Sequence, residues 1–92
     1  MFEKKEVIFS ETLGVCRVFE VVKLSAKNNE QVLYYGLRSL YDEKKVSYIP
    51  VENHQVQLRP LISYEEAKEL EDKDVSELRR QEVYYVLQNH KG

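Results

Sequence analysis

The 92 residues contain no tryptophan and a single cysteine, Cys16. One cysteine rules out an intrachain disulfide, so the fold must rest on its apolar core. The two histidines, His54 and His90, stand at no metal-ligand spacing from it, which leaves no zinc motif. Cys16 itself lies inside an apolar strand pattern and reads as a small buried residue. No apolar run approaches the ~18 residues of a membrane span, and nothing resembles a signal peptide, so a reducing cytoplasm is expected. Glycine occurs three times and proline twice. There is no glycine-rich phosphate loop, no flexible linker and no low-complexity segment. No nucleophile has a histidine near it, and no carboxylate pair has a readable geometry. The chain is expected to be neither an enzyme nor a cofactor carrier.

What is present describes one small globular domain. Hydrophobic residues make up 42% and charged residues 33%. A chain of this length buries roughly two-thirds of its unfolded surface and needs no staple. Seven tyrosines and three phenylalanines make a tyrosine-heavy aromatic set. Tyrosine suits half-buried strands and contact surfaces, because the ring is apolar and the hydroxyl stays wet. Residues 1–62 carry nine Lys/Arg and eight Asp/Glu, and residues 63–92 carry five and eight. An acidic tail and a net charge of −2 speak against stand-alone nucleic-acid binding, which draws its affinity from cationic contacts to phosphates.

Periodicity divides the chain at about residue 62. Glu6-Val7-Ile8-Phe9 reads as a first strand, and Gly14 ends the turn after it, free to take a positive φ. Val15–Leu24 is a long β-branched run with imperfect alternation. Val18 and Val22 fall on one face, Phe19 and Val21 on the other, and a bulge or strong bend accounts for the mismatch. Ser25–Asn29 is a polar turn. Gln31–Tyr41 is the next strand, with Leu33, Tyr35 and Leu37 on one face and Val32, Tyr34 and Arg38 on the other. Gly36 in its middle marks a bend or a close approach. Asp42-Glu43-Lys44-Lys45 forms a charged hairpin turn, Val46-Ser47-Tyr48-Ile49 a fourth strand ended by Pro50, and Gln57-Leu58-Arg59 a short fifth. Ser63-Tyr64-Glu65-Glu66 is a capping box for a helix to about Glu71. Asp74-Val75-Ser76-Glu77 repeats the pattern for a second helix to about Asn89. Its apolar arc is Val75, Leu78, Val83, Val86 and Leu87, with Tyr84 on the far side. Short strands joined by tight turns and then helices suggest a small open barrel with a helical appendage.

Five elements in order carry a resemblance. They are Gly14 after the first strand, the bent run Val15–Leu24, Tyr34-Tyr35-Gly36-Leu37, Ile49-Pro50-Val51-Glu52-Asn53, and Leu58-Arg59-Pro60-Leu61-Ile62-Ser63. Together they resemble the N-terminal module of the CarD/CdnL family of bacterial transcription regulators, a module shared with transcription-repair coupling factors. The likeness covers roughly residues 2–70. It implies a mainly β fold: a Tudor/SH3-like bent barrel of four to five antiparallel strands over residues 1–62, with a helical extension over 63–92. It implies binding to the RNA polymerase β subunit by strand addition. The matching positions are Lys23 and Leu24 at the end of the second strand and Val46 and Tyr48 on the fourth. Family members often present basic side chains there, whereas Leu24 and Tyr48 make this surface more apolar. Longer members grip promoter DNA with a helical domain that wedges in a tryptophan. With no tryptophan and an acidic tail, this chain is expected to bind polymerase as a monomer or weak homodimer. Contact with DNA is expected only weakly, or through a further C-terminal region.

Other readings stand beside this one. A Tudor-like reader of peptides or single-stranded RNA would stack bases on exposed tyrosines and need a basic face. Lys4, Lys5, Lys23, Lys27, Lys44 and Lys45 are the candidates, and of these Lys4-Lys5, Lys27 and Lys44-Lys45, at strand starts and turns, are expected at one end of the barrel. Tyr34, Tyr35, Tyr41 and Tyr48 are the residues an aromatic cage would use, although Tyr35 is expected in the core. Asn53 is read as a turn residue, His54 as exposed, and His90 as favouring the helix dipole. Arg79-Arg80, flanked by Glu77 and Glu82, is read as a solvated, salt-bridged helix face.

Overall fold

A computed structural model describes residues 1–25, 30–52 and 54–90. Five strands come first: β1 (Val7–Ser10), β2 (Gly14–Ser25), β3 (Gln31–Ser39), β4 (Val46–Pro50) and β5 (Leu58–Pro60). Two helices follow, α1 (Tyr64–Leu70) and α2 (Glu77–Asn89). All strand pairs are antiparallel, in the lateral order β4-β3-β2-β1-β5. The mainly β fold with two C-terminal helices is as the sequence predicts. The sheet is bent and open, again as expected: among the described residues β4 pairs with β3 alone and β5 with β1 alone. The predicted turn at Ser25–Asn29 falls largely on residues outside those described, and so does Asn53.

The bend has a local cause. The register of β2 against β3 shifts between Val18 and Glu20, which makes Phe19 the extra residue of a bulge. Parity changes across it. Cys16 and Val18 face the core before the bulge, and Val21 packs against the same core after it. Val18 and Val22, which simple alternation puts on one face, therefore lie on opposite faces.

The inner face of the bend holds Ile8, Cys16, Val18, Tyr35, Leu37 and Ile49. Phe2, Leu13, Val21, Val51, Val56 and Leu58 pack around them. The Tyr35 hydroxyl accepts the Phe2 N–H at 3.0 Å, which satisfies the one polar atom this ring brings inside. Burial pushes the Cys16 thiol up to about 12. His54 is half-buried rather than exposed, because its Nδ1 donates to the Val56 carbonyl at 2.6 Å.

The helices cover part of the outer face, where Phe9 and Val15 are buried. Gly14 takes φ +77°, and a Cβ there would stand 3.0 Å from Leu78 Cδ2, so α2 rests directly on this turn. Ser63 Oγ accepts the Glu66 N–H at 3.1 Å and caps α1 as expected. The cap of α2 is Ser76, whose Oγ accepts the Arg79 N–H, and not Asp74 two residues earlier. Arg80 does not belong to a solvated face. Its guanidinium donates to the carbonyls of Leu70, Glu71 and Lys73, the orphan acceptors at the end of α1. His90 stacks on Tyr64 with ring centroids 3.7 Å apart, which ties the end of α2 to the start of α1.

Glu82 joins the two layers. It is fully buried, takes a bidentate grip from Arg59 at 2.7 and 2.8 Å, and accepts the Ile62 N–H at 3.0 Å. The Arg59 guanidinium lies 4.3 Å from the Phe9 ring centroid. Its hydrogen bond to Glu82 raises the Arg59 pKa further above its ordinary value. This contact draws α2 to β5, at the edge of the sheet away from β4.

Candidate functional site: the free edge of β4

Hydrogen bonds fix which way each residue of β4 points. The Ser39 N–H donates to the Lys45 carbonyl, and the Val51 N–H donates to the Leu33 carbonyl. Antiparallel ladders alternate, so Ser47 and Ile49 exchange hydrogen bonds with β3. Val46, Tyr48 and Pro50 therefore turn their backbone groups away from the sheet. Among the described residues nothing pairs with that outer side. It offers the N–H and C=O of Val46 and Tyr48 and the C=O of Pro50, which has no N–H.

Val46 and Tyr48 also project their side chains onto the outer face, 41% and 47% exposed. Tyr48 is not loose. It stands opposite Gly36, meets Phe19 edge-on with centroids 6.0 Å apart, and donates its hydroxyl to Glu20 Oε1 at 2.8 Å. That hydrogen bond, with burial and the charge of Glu20, holds the Tyr48 pKa above its ordinary value. A Cβ at position 36 would stand 2.9 Å from Phe19 Cζ and 3.1 Å from Tyr48 Cε1. The glycine is what lets the ring pair settle on the sheet. Arg38 completes the cluster, its guanidinium 4.8 Å from the Phe19 centroid.

Of the four residues the resemblance points to, the structure brings two together. Val46 and Tyr48 are neighbours on one face of the edge strand. Leu24 pairs with Val32 and shares that face, but lies four residues farther along β3 from Gly36, roughly 13 Å away. Lys23 pairs with Leu33, one position on, and so sits on the opposite face. Phe19, Glu20 and Arg38 were missed as site residues. The mid-strand Gly36 was the available signal for them, since a glycine there calls for neighbours that fill its space.

The other readings fare less well. Tyr35 is in the core, Tyr41 donates to the Gln81 carbonyl at 3.3 Å, and Tyr48 is bound to Glu20, so the four tyrosines do not converge as a cage. Lys23 lies at the far end of β2–β3 from Lys45, whose carbonyl bonds to Ser39. Lys27 falls outside the described residues. Among the described residues no helix is long and apolar enough to cross a membrane. Comparison with protein-family models, curated proteins and solved structures finds no match for the chain.

Proposed function

We propose that this chain is a protein-docking module that adds a partner strand to the outer edge of β4. Following the resemblance to the CarD-like regulators, the partner is the β subunit of bacterial RNA polymerase. The module has no catalytic role, acts in the cytoplasm and does not bind DNA strongly by itself. The observation that carries this reading is the unpaired side of β4, with Val46 and Tyr48 presenting both backbone groups and apolar side chains to the same space. The arrangement of Tyr48 supports it further, because a side chain already held by Phe19 and Glu20 loses little rotamer freedom on contact.

Capture of the isolated polymerase β-subunit lobe by the immobilised chain tests the reading. Tyr48→Asp sets a charge in the middle of the contact and should abolish capture. Leu24→Asp, at the margin of the same face, should weaken it. Lys23→Ala, on the opposite face, should leave it unchanged. No capture by folded wild-type protein would overturn the partner assignment.

A further inference from the structure

The outer face of β2–β3 carries a second group of residues, which shares Phe19 and Arg38 with the cluster beside β4. Arg17 and Arg38 are directly opposite each other on neighbouring strands. Like charges in that relation repel, so a sheet normally avoids them or places an acid beside them. Here, among the described residues, neither guanidinium has a hydrogen bond or an ion pair. The nearest acid on β2, Glu20, is engaged by the Tyr48 hydroxyl instead.

Both arginines line one cavity of about 290 Å3, walled by Phe19, Ser39, Leu40 and Glu43. Arg38 is steadied over the Phe19 ring, which leaves the edge of its guanidinium free. Arg17 and Phe19 also wall the adjoining depression, which Lys4 and Lys5 line from the other side. Lys5 takes φ 78° and donates its N–H to the Val18 carbonyl at 2.6 Å. A left-handed backbone is unfavourable for a residue with a Cβ, and here it sets a cation beside Arg17. Across the two depressions the cations Arg17, Arg38, Lys4 and Lys5 outnumber the one carboxylate, Glu43, so on a chain of net charge −2 the site is positive and has an aromatic wall.

We propose that Arg17 and Arg38 form a binding site for a phosphate monoester, with Phe19 and Leu40 receiving the organic group. One carboxylate satisfies one guanidinium fork. A phosphate monoester carries close to two negative charges at neutral pH and three terminal oxygens, enough for both forks at once. The site lies on β2–β3 beside the β4 edge, from which it differs by Arg17, Leu40 and the lysines of the adjoining depression.

Titration of the 15N-labelled chain, followed by amide shifts, tests this with three probes: inorganic phosphate, phenyl phosphate and adenosine 5′-monophosphate. Each is run against chloride of matched ionic strength. Saturable shifts at Arg17, Phe19, Arg38 and Leu40 are expected with both esters, more tightly than with inorganic phosphate, and Arg17→Gln or Arg38→Gln should weaken them at least tenfold. A preference between the esters identifies the source as a phosphorylated aromatic group or a nucleotide, and either supports the site. Each replacement also removes a like-charge opposition and should raise the melting temperature at low salt, so lost binding cannot be attributed to unfolding. Shifts that chloride reproduces, equal affinity for inorganic phosphate, or undiminished binding by Arg17→Gln would overturn the proposal.

Discussion

Replacing Val46 with proline separates docking through the backbone of β4 from docking through its side chains. The Val46 N–H points away from β3, so proline there removes no bond of the sheet. Val46 is also the first residue of the strand, a position where proline is tolerated. Folding stability should stay within about 0.5 kcal/mol of wild type. An added partner strand, however, loses a donor and is left with an unpaired carbonyl at a buried interface. That costs about 1–3 kcal/mol, or roughly 5- to 150-fold in affinity. Ser47→Pro is the opposite case: its N–H faces Leu37 across the ladder, so the same magnitude should appear in folding stability. Urea denaturation followed by circular dichroism, with interferometry against the β-subunit lobe, gives both numbers. Wild-type affinity in Val46→Pro would refute strand addition. Wild-type stability in Ser47→Pro would refute the register from which the free edge was derived.

Two further predictions concern the fold that holds the site. Arg59→Ala strands the Glu82 carboxylate, whose side chain is 0% exposed, with the Ile62 N–H as its remaining partner. A fully buried broken pair costs about 3–5 kcal/mol; water entering where Arg59 is 38% exposed reduces this to about 2–3 kcal/mol. The double replacement Arg59→Met with Glu82→Leu should fall within about 1 kcal/mol of wild type by urea denaturation, and a cost under about 0.5 kcal/mol for Arg59→Ala alone would contradict the buried anchor. Cys16 governs alkaline stability: its thiol rises from 9.0 to about 12 on folding, so above pH 9 the unfolded chain releases a proton that the native state keeps. Its contribution is intact below pH 9 and declines by about 1.4 kcal/mol per pH unit up to about pH 12, and Cys16→Ala should flatten that decline in alkaline melting curves.

The parts of this structure that follow from local chemistry were legible in the sequence. Strand positions came within one or two residues, Ser63 was correctly read as a cap, and the broken alternation of Val15–Leu24 correctly announced a bulge. What escaped depended on partners far away in the chain. Glu82 reads as one more helix-surface acid until Arg59, on β5, is known to reach it. Arg80 reads as a solvated charge until α1 ends beneath it. The bulge was visible but its position was not, so the faces of the residues beyond it, Val22 and Lys23 included, could not be assigned. At the candidate site, only the resemblance pointed to Val46 and Tyr48. The cluster of Phe19, Arg38 and Tyr48 over Gly36 was not legible, because it needs the pairing of three strands at once.

Pro50 has a consequence for how this molecule behaves when no partner is near. The run of outward amides begins at Val46 and stops two residues short of where the strand itself stops, because the ring at position 50 has no hydrogen to give. Two such margins laid side by side could close very few rungs before running into imide nitrogen. Stacking of one molecule on the next, the usual hazard of a sheet left unfinished, is thus curtailed by its brevity. A foreign segment finds the same missing hydrogen but brings a donor of its own for the Pro50 carbonyl and apolar residues for Val46 and Tyr48, so a proline that shortens the margin also tilts the contest toward strangers and away from self.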